Sequence, residues 1–182
     1  PLTGGMTAKE IEDGSVIFED DNLKISAFKV FHEPIEPALG YKFEYKDRVL
    51  VISGDTRYDS ELIKSFKGAD VLFCEVISPD IVDRFIKVAE QQNDAKLKKI
   101  LVDILDYHIS PLEAVDLANE AGVRHLVYYH LTPTLPTEIR FLSDKFFFAG
   151  VDEAIKNWTA STDGTMVVLP SNSKEILISE IN

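Results

Sequence analysis

The strongest constraint in this sequence is where its short β-type runs end. Leu23–Phe31 runs straight into His32, Val49–Ile52 leads through Ser53 and Gly54 to Asp55, and Arg124–Tyr129 ends on His130. A fourth polar residue, His108, stands just ahead of a helix start at Ser110. In folds that alternate strands with helices, the loops past strand ends are where ligands gather, because the sheet holds those loops rigidly side by side. Each residue alone reads as a solvated histidine or an ordinary Gly-Asp-Thr turn. Together, three imidazoles and a carboxylate at successive strand ends form a donor set suited to zinc, manganese or iron.

The rest of the chain supplies the scaffold for such an arrangement. Residues 1–14 are polar and glycine-bearing and read as a loop. Short strands are expected at Ser15–Glu19 and Leu23–Phe31, followed by a turn-rich stretch with two prolines, His32–Leu39. Gly40–Tyr45 and Arg48–Ser53 flank Lys46-Asp47 as a hairpin. A short helix over Asp59–Lys67 and a buried strand over Ala69–Val76 follow. Apolar residues at helical spacing predict helices over Pro79–Gln91 and Ala95–Leu105. Ser110-Pro111-Leu112-Glu113 carries a serine cap, a proline at the first turn and an acid at the third position, and the helix it opens should stop at Gly122. Thr137–Phe148 reads as helical, and the tail from Trp158 to Ile181 as one or two strands around a turn at Asp163-Gly164. This alternation predicts an α/β layered fold.

Bulk properties narrow the function. The 182 residues are 45% hydrophobic, enough for a real core, and no internal repeat or linker divides them. The 19 basic and 31 acidic side chains leave a net charge of −12, which disfavours binding driven by a nucleic-acid backbone. A single cysteine, Cys74, excludes an internal disulfide and a cysteine-based zinc cage. No apolar run approaches the roughly 20 residues that cross a bilayer, and the compartment, cytoplasmic or periplasmic, stays open.

The order His32, Gly54-Asp55-Thr56, Glu75, His108-Ile109-Ser110, Gly122-Val123, His130 resembles the second half of the metallo-β-lactamase superfamily, closest to its ribonuclease Z and arylsulfatase-like branch. The matching stretches run from Val30-Phe31-His32 through Tyr129-His130-Leu131, and the separation of 22 between His108 and His130 agrees with that branch. The resemblance implies half of an αββα sandwich, a mixed sheet with helices on one face. It implies a hydrolase of phosphodiester or sulfate-ester substrates using two divalent metal ions, zinc foremost, with manganese or iron as alternatives. Position by position, it makes His32 a ligand of the first metal, Asp55 the bridge between metals and His130 a ligand of the second. His108 becomes a catalytic residue that assists the leaving group without binding metal, and Glu75 its orienting partner. His125 reads as a surface residue, and Cys74, where relatives often have a histidine, as buried.

Two departures shape the expectations. The superfamily's upstream His-x-His-x-Asp-His string is absent, so residues 1–182 are expected to be a C-terminal half whose N-terminal half, or a second chain supplying it, completes both the metal sites and the packing of the sheet. The complete protein is expected to be a homodimer, and this chain alone inactive. The stretch between His32 and Asp55 holds only 22 residues, without the long arm that bacterial ribonuclease Z inserts there. With the acidic charge, this favours a small anionic ester over nucleic acid as substrate, leaving ribonuclease Z-type processing of transfer RNA as one alternative and a non-catalytic scaffold as another.

Overall fold

The fold was obtained as a computed structural model, which describes residue 5, residues 8–134 and residues 140–181, the side chains of 140–143 excepted. Seven strands form one mixed sheet: β1 (Val16–Glu19), β2 (Leu23–Lys29), β3 (Leu39–Tyr45), β4 (Arg48–Ile52), β5 (Val71–Ile77), β6 (His125–Thr132) and β7 (Trp158–Ala160), in that spatial order. The first four pair antiparallel as a meander, whereas β4 to β7 run parallel. The parallel crossovers carry the helices, as they must, since parallel strands cannot be joined by tight turns. They are α1 (Leu62–Phe66), α2 (Pro79–Gln91), α3 (Ala95–Asp103), α4 (Pro111–Ala121), α5 (Arg140–Phe147) and α6 (Val151–Ala154).

The predicted α/β class and mixed sheet are what the chain adopts. Leu72, Cys74 and Val76 of β5 and Leu126 and Tyr128 of β6 pack with Leu62 and Phe66 of α1, Val115 and Leu117 of α4 and Val151 of α6 in one core. Burying one such side chain contributes about 1.5–3 kcal/mol. The α2–α3 hairpin closes a smaller cluster of Ile77, Val82, Ala89 and Leu101. On the opposite face, Tyr41, Phe43, Leu50, Ile52, Phe73 and Tyr129 are only half-buried.

The helix start at Ser110 forms as its sequence dictates: the Ser110 hydroxyl accepts from Glu113 N–H while the Glu113 carboxylate accepts from Ser110 N–H at 2.9 Å. Gly122, at φ +68°, ends that helix. Other boundaries moved for local reasons. β2 stops at Lys29, because Val30 N–H turns to Ala38 O and Phe31 N–H to Thr56 Oγ1. The helix expected over Asp59–Lys67 begins only at Leu62, since Asp59 spends its carboxylate and carbonyl on the N–H groups of Glu61 and Leu62 as a turn. α3 tightens into a 3-10 turn, Ile104–Asp106. The tail forms three strands: β7 extends the main sheet, while β8 (Thr165–Val168) and β9 (Leu177–Glu180) pair as a separate hairpin. Of the helix expected over Thr137–Phe148, residues 137–139 lie outside the described residues.

The N-terminal end of the parallel strands holds a polar cluster that the sequence reading missed. Arg48 opens β4, and Asp70 and Arg124 stand just before β5 and β6. Asp70 pairs with Arg48 at 3.4 Å and with Arg124 at 2.5 Å. The two guanidinium groups also donate to three consecutive tail carbonyls, Arg48 to Ser173 O and Glu175 O, and Arg124 to Lys174 O. Charged residues opening three neighbouring strands were the available signal. His125, read as a surface residue, is instead half-buried: its Nε2 lies 2.9 Å from Thr159 Oγ1 on the neighbouring strand β7. Burial lowers its pKa. Cys74 is fully buried as expected.

Candidate metal centre

At the other end of the same strands, the loop Ser53–Arg57 is sewn to its neighbours by backbone and side chain. Ser53 N–H donates to Phe73 O at 2.9 Å, and Arg57 N–H to Phe31 O at 2.8 Å. The loop passes so close to Leu39 that a Cβ on Gly54, whose φ is +67°, would stand 2.8 Å from the Leu39 carbonyl oxygen. Glycine is required there both for space and for backbone conformation. The result fixes Asp55 between the end of β2, where His32 emerges, and the end of β5.

His32 is oriented by a backbone group: its Nδ1 lies 2.9 Å from Tyr107 O, which makes Nδ1 the protonated donor and leaves Nε2 with a lone pair. The sequence could not have revealed this partner, because a carbonyl leaves no side-chain signature. Tyr107 also packs its ring edge-on to His32, with centroids 4.8 Å apart.

His108 is held by a carboxylate. Its Nδ1 lies 2.9 Å from Glu75 Oε1, with the two side chains 8% and 0% exposed. The same Oε1 accepts from Thr56 N–H at 3.0 Å and Ile109 N–H at 3.3 Å, while Oε2 is buried without a partner among the described residues. Burial, only partly offset by His108 and Thr56, raises the Glu75 carboxyl above its ordinary range. Burial acts to lower the His108 imidazole, but the hydrogen bond and charge of Glu75, with the charge of Asp55, carry it above its ordinary value. Glu75 and His108 are thus joined through Nδ1, and this contact leaves Nε2 unused.

His130 reaches the site through a backbone irregularity. Glu75 pairs with Tyr129 and Val76 with Leu131, so His130 is an extra residue of β6 with no partner on β5. Its φ is +46°. An extra residue of this kind bends a strand and re-aims its side chain. Here it brings His130 Nδ1 to 3.0 Å from Asp55 Oδ1, with both side chains solvent-accessible at 51% and 38%. Below this pair, burial and then the charge of Asp55 push the Tyr129 phenol up to about 12.

All five residues expected in the site thus converge. One donor atom each from His32, Asp55 and His108 lies within 4.8 Å of the others. The rings of His108 and His130 are 6.1 Å apart, centroid to centroid. Two imidazoles and a carboxylate at this separation fit a divalent transition metal, and His130 adds a third imidazole beside Asp55. His108, expected beside the ligands, places a donor atom in the same group as His32 and Asp55.

Residues 3–131 match the family described as Beta-lactamase superfamily domain. The chain is 35% identical over 127 residues to Ribonuclease Z of Mycolicibacterium paratuberculosis, covering 70% of this chain and 41% of that protein. It is 33% identical over 118 residues to Putative ribonuclease Z of Mycobacterium tuberculosis, covering 65% and 48%. The chain therefore spans less than half the length of these relatives. Among solved structures, the metallo-beta-lactamase fold protein YhfI of Bacillus subtilis superposes with a TM-score of 0.50 at 17% identity, covering 82% of this chain and 50% of that one. An isothiocyanate hydrolase from Delia radicum gut bacteria gives 0.51 at 13% identity, covering 85% and 57%. By residues 3–131, this chain belongs to the Beta-lactamase superfamily domain family.

Proposed function

We propose that this chain carries the Asp55 side of a hydrolase that cuts phosphodiester or sulfate-ester bonds at a pair of divalent metal ions, with a counterpart half of the domain supplying the remaining ligands. One observation carries the reading: Asp55 stands between two histidines, with a donor atom of His32 within 4.8 Å of one of its own and His130 Nδ1 at 3.0 Å from its Oδ1. His32 would hold the first metal and His130 the second, with Asp55 offering one oxygen to each. When bound, the metals supply a Lewis acid that activates water and offsets charge developing on the ester oxygen.

The chain's own side chains do the rest. Tyr107 O fixes the tautomer and ring plane of His32. Glu75 does the same for His108 and raises its basicity, so that a proton held on Nε2 can pass to the leaving oxygen. The half-buried strip from Tyr41 to Tyr129 is the face onto which the counterpart half would pack.

A ribonuclease Z-type reaction is a second reading, favoured by the 35% identity to a protein of that name. The −12 charge and the short stretch between His32 and Asp55 favour a smaller anionic ester. The deciding experiment uses the full-length protein, with metal content measured alongside turnover of bis(p-nitrophenyl) phosphate, an aryl sulfate and precursor transfer RNA. Metal-dependent cleavage of a small ester, abolished in Asp55→Ala, is the expected result. Cleavage of transfer RNA alone would select the second reading. A protein that neither binds metal nor cleaves any of the three would be a scaffold, and the proposal would fall.

A further inference from the structure

A cavity of about 370 Å³ lies away from the metal centre, at the N-terminal end of β6, lined by Val123, Arg124, His125, Asn157, Lys174 and Ile176. Its size is within the range of pockets that hold small molecules, about 300–1,000 Å³. Its wall is fixed from behind. Arg48, only 2% exposed, donates to Ser173 O and Glu175 O, and Arg124 donates to Lys174 O, so the backbone on both sides of Lys174 is gripped while its side chain is left to the cavity.

The charge there runs against the rest of the chain. Arg48 and Arg124 share the single carboxylate of Asp70. Lys174 adds a third cation, whose charge acts on the nearby Asp47 carboxylate, which also accepts from Asn172 N–H at 2.9 Å. The cavity's own lining holds two cations, Arg124 and Lys174, and no carboxylate, in a chain whose total is −12. Donor capacity is also unspent. Among the described residues, neither Lys174 Nζ nor the Asn157 side-chain amide makes a hydrogen bond, and His125 keeps Nδ1 free while Nε2 meets Thr159. Val123 and Ile176 add apolar wall.

We infer that this cavity binds a phosphate monoester, with Lys174, Asn157 and the outer edge of Arg124 on the phosphate oxygens and Val123 and Ile176 against the organic body. Ammonium, amide and guanidinium donors together are the groups that recognise a compact dianion. The site is separate from the metal centre, and the inference stands or falls without it.

The test is calorimetric titration of the full-length Asp55→Ala protein in EDTA, so that bound metal cannot answer for the cavity. Ribose 5-phosphate and inorganic phosphate are the two probes. Ribose 5-phosphate should bind more tightly than inorganic phosphate, and its affinity should fall about tenfold or more in Lys174→Ala and again in Asn157→Asp. Thermal melts of both variants should match the parent, since neither side chain holds the fold. Affinity unchanged in both variants, or binding of inorganic phosphate alone, would overturn the inference.

Discussion

The two ends of β4, β5 and β6 both carry ionisable residues, and they use them in opposite ways. At the N-terminal end, Arg48 and Asp70 are 2% and 8% exposed in their side chains and turn inward, on each other and on the tail carbonyls. At the C-terminal end, Asp55 and His130 are 38% and 51% exposed; each end has a buried atom without a hydrogen-bond partner among the described residues, Arg48 Nε at one and Glu75 Oε2 at the other. The buried pair at the first end is closed: Arg48 and Asp70 face protein groups, which is the condition under which burying them is tolerable, while Arg124 and Lys174 stay exposed at its rim. The second leaves ligand capacity unused at a point where the sheet holds it still. Stability should therefore reside at one end and chemistry at the other.

The sharpest way to break that division is at Asp55. Asp55→Ala should remove metal binding and metal-dependent turnover, by more than the 10–100-fold typical of losing a residue that only orients a ligand. The melting temperature of the metal-free protein should barely change. Metal analysis paired with thermal melts checks both halves, and a large loss of stability would put a structural load on the chemical end. Next, His108→Ala should lower turnover by about 10²–10⁴-fold while metal content holds. Loss of metal in this variant would make His108 a ligand, as its place within the 4.8 Å donor group allows.

At the closed end, Asp70→Ala leaves Arg48 buried without its carboxylate and should cost about 3–5 kcal/mol. Urea denaturation would measure it, with metal affinity of the surviving folded protein unchanged. An effect below 1 kcal/mol would mean the tail carbonyls alone satisfy Arg48.

Much of this division was legible in sequence, and the illegible part has definite causes. Asp55, His130 and His32 could be found because strand periodicity stops at them, and strand ends are where a sheet presents side chains. The capping box at Ser110 was equally plain, being local. The extra residue in β6 that re-aims His130 was not, because it depends on a pairing with β5 some 50 residues away in sequence. Nor was the burial of His125, which waits on Thr159 from β7. Nor was the cluster of Arg48, Asp70 and Arg124, which forms only when the tail folds back over it.

The smallest expected effect separates the two ends by pH, in metal-free protein. His108 has a raised folded pKa, so its contribution to stability is fully present below the unfolded imidazole value, about 6.5, and is lost as pH rises through the folded value. His125 has a lowered folded pKa, so its contribution is present above about 6.5 and is lost as pH falls through the folded value. Urea midpoints from pH 5 to 8 should therefore lose their high-pH decline in His108→Gln and their low-pH decline in His125→Gln. Identical profiles in the two variants would erase the contrast.

The unpaired position of His130 has a consequence for how such a chain can vary. Deleting one residue from β6 at this point would restore an unbroken ladder from the Glu75–Tyr129 pair to the Val76–Leu131 pair, a repair by every measure of strand pairing. It would also take the imidazole away from Asp55. Screens that reward solubility or heat resistance would welcome the deletion, and screens that reward turnover would discard it, so the irregularity persists only where the chemistry is selected.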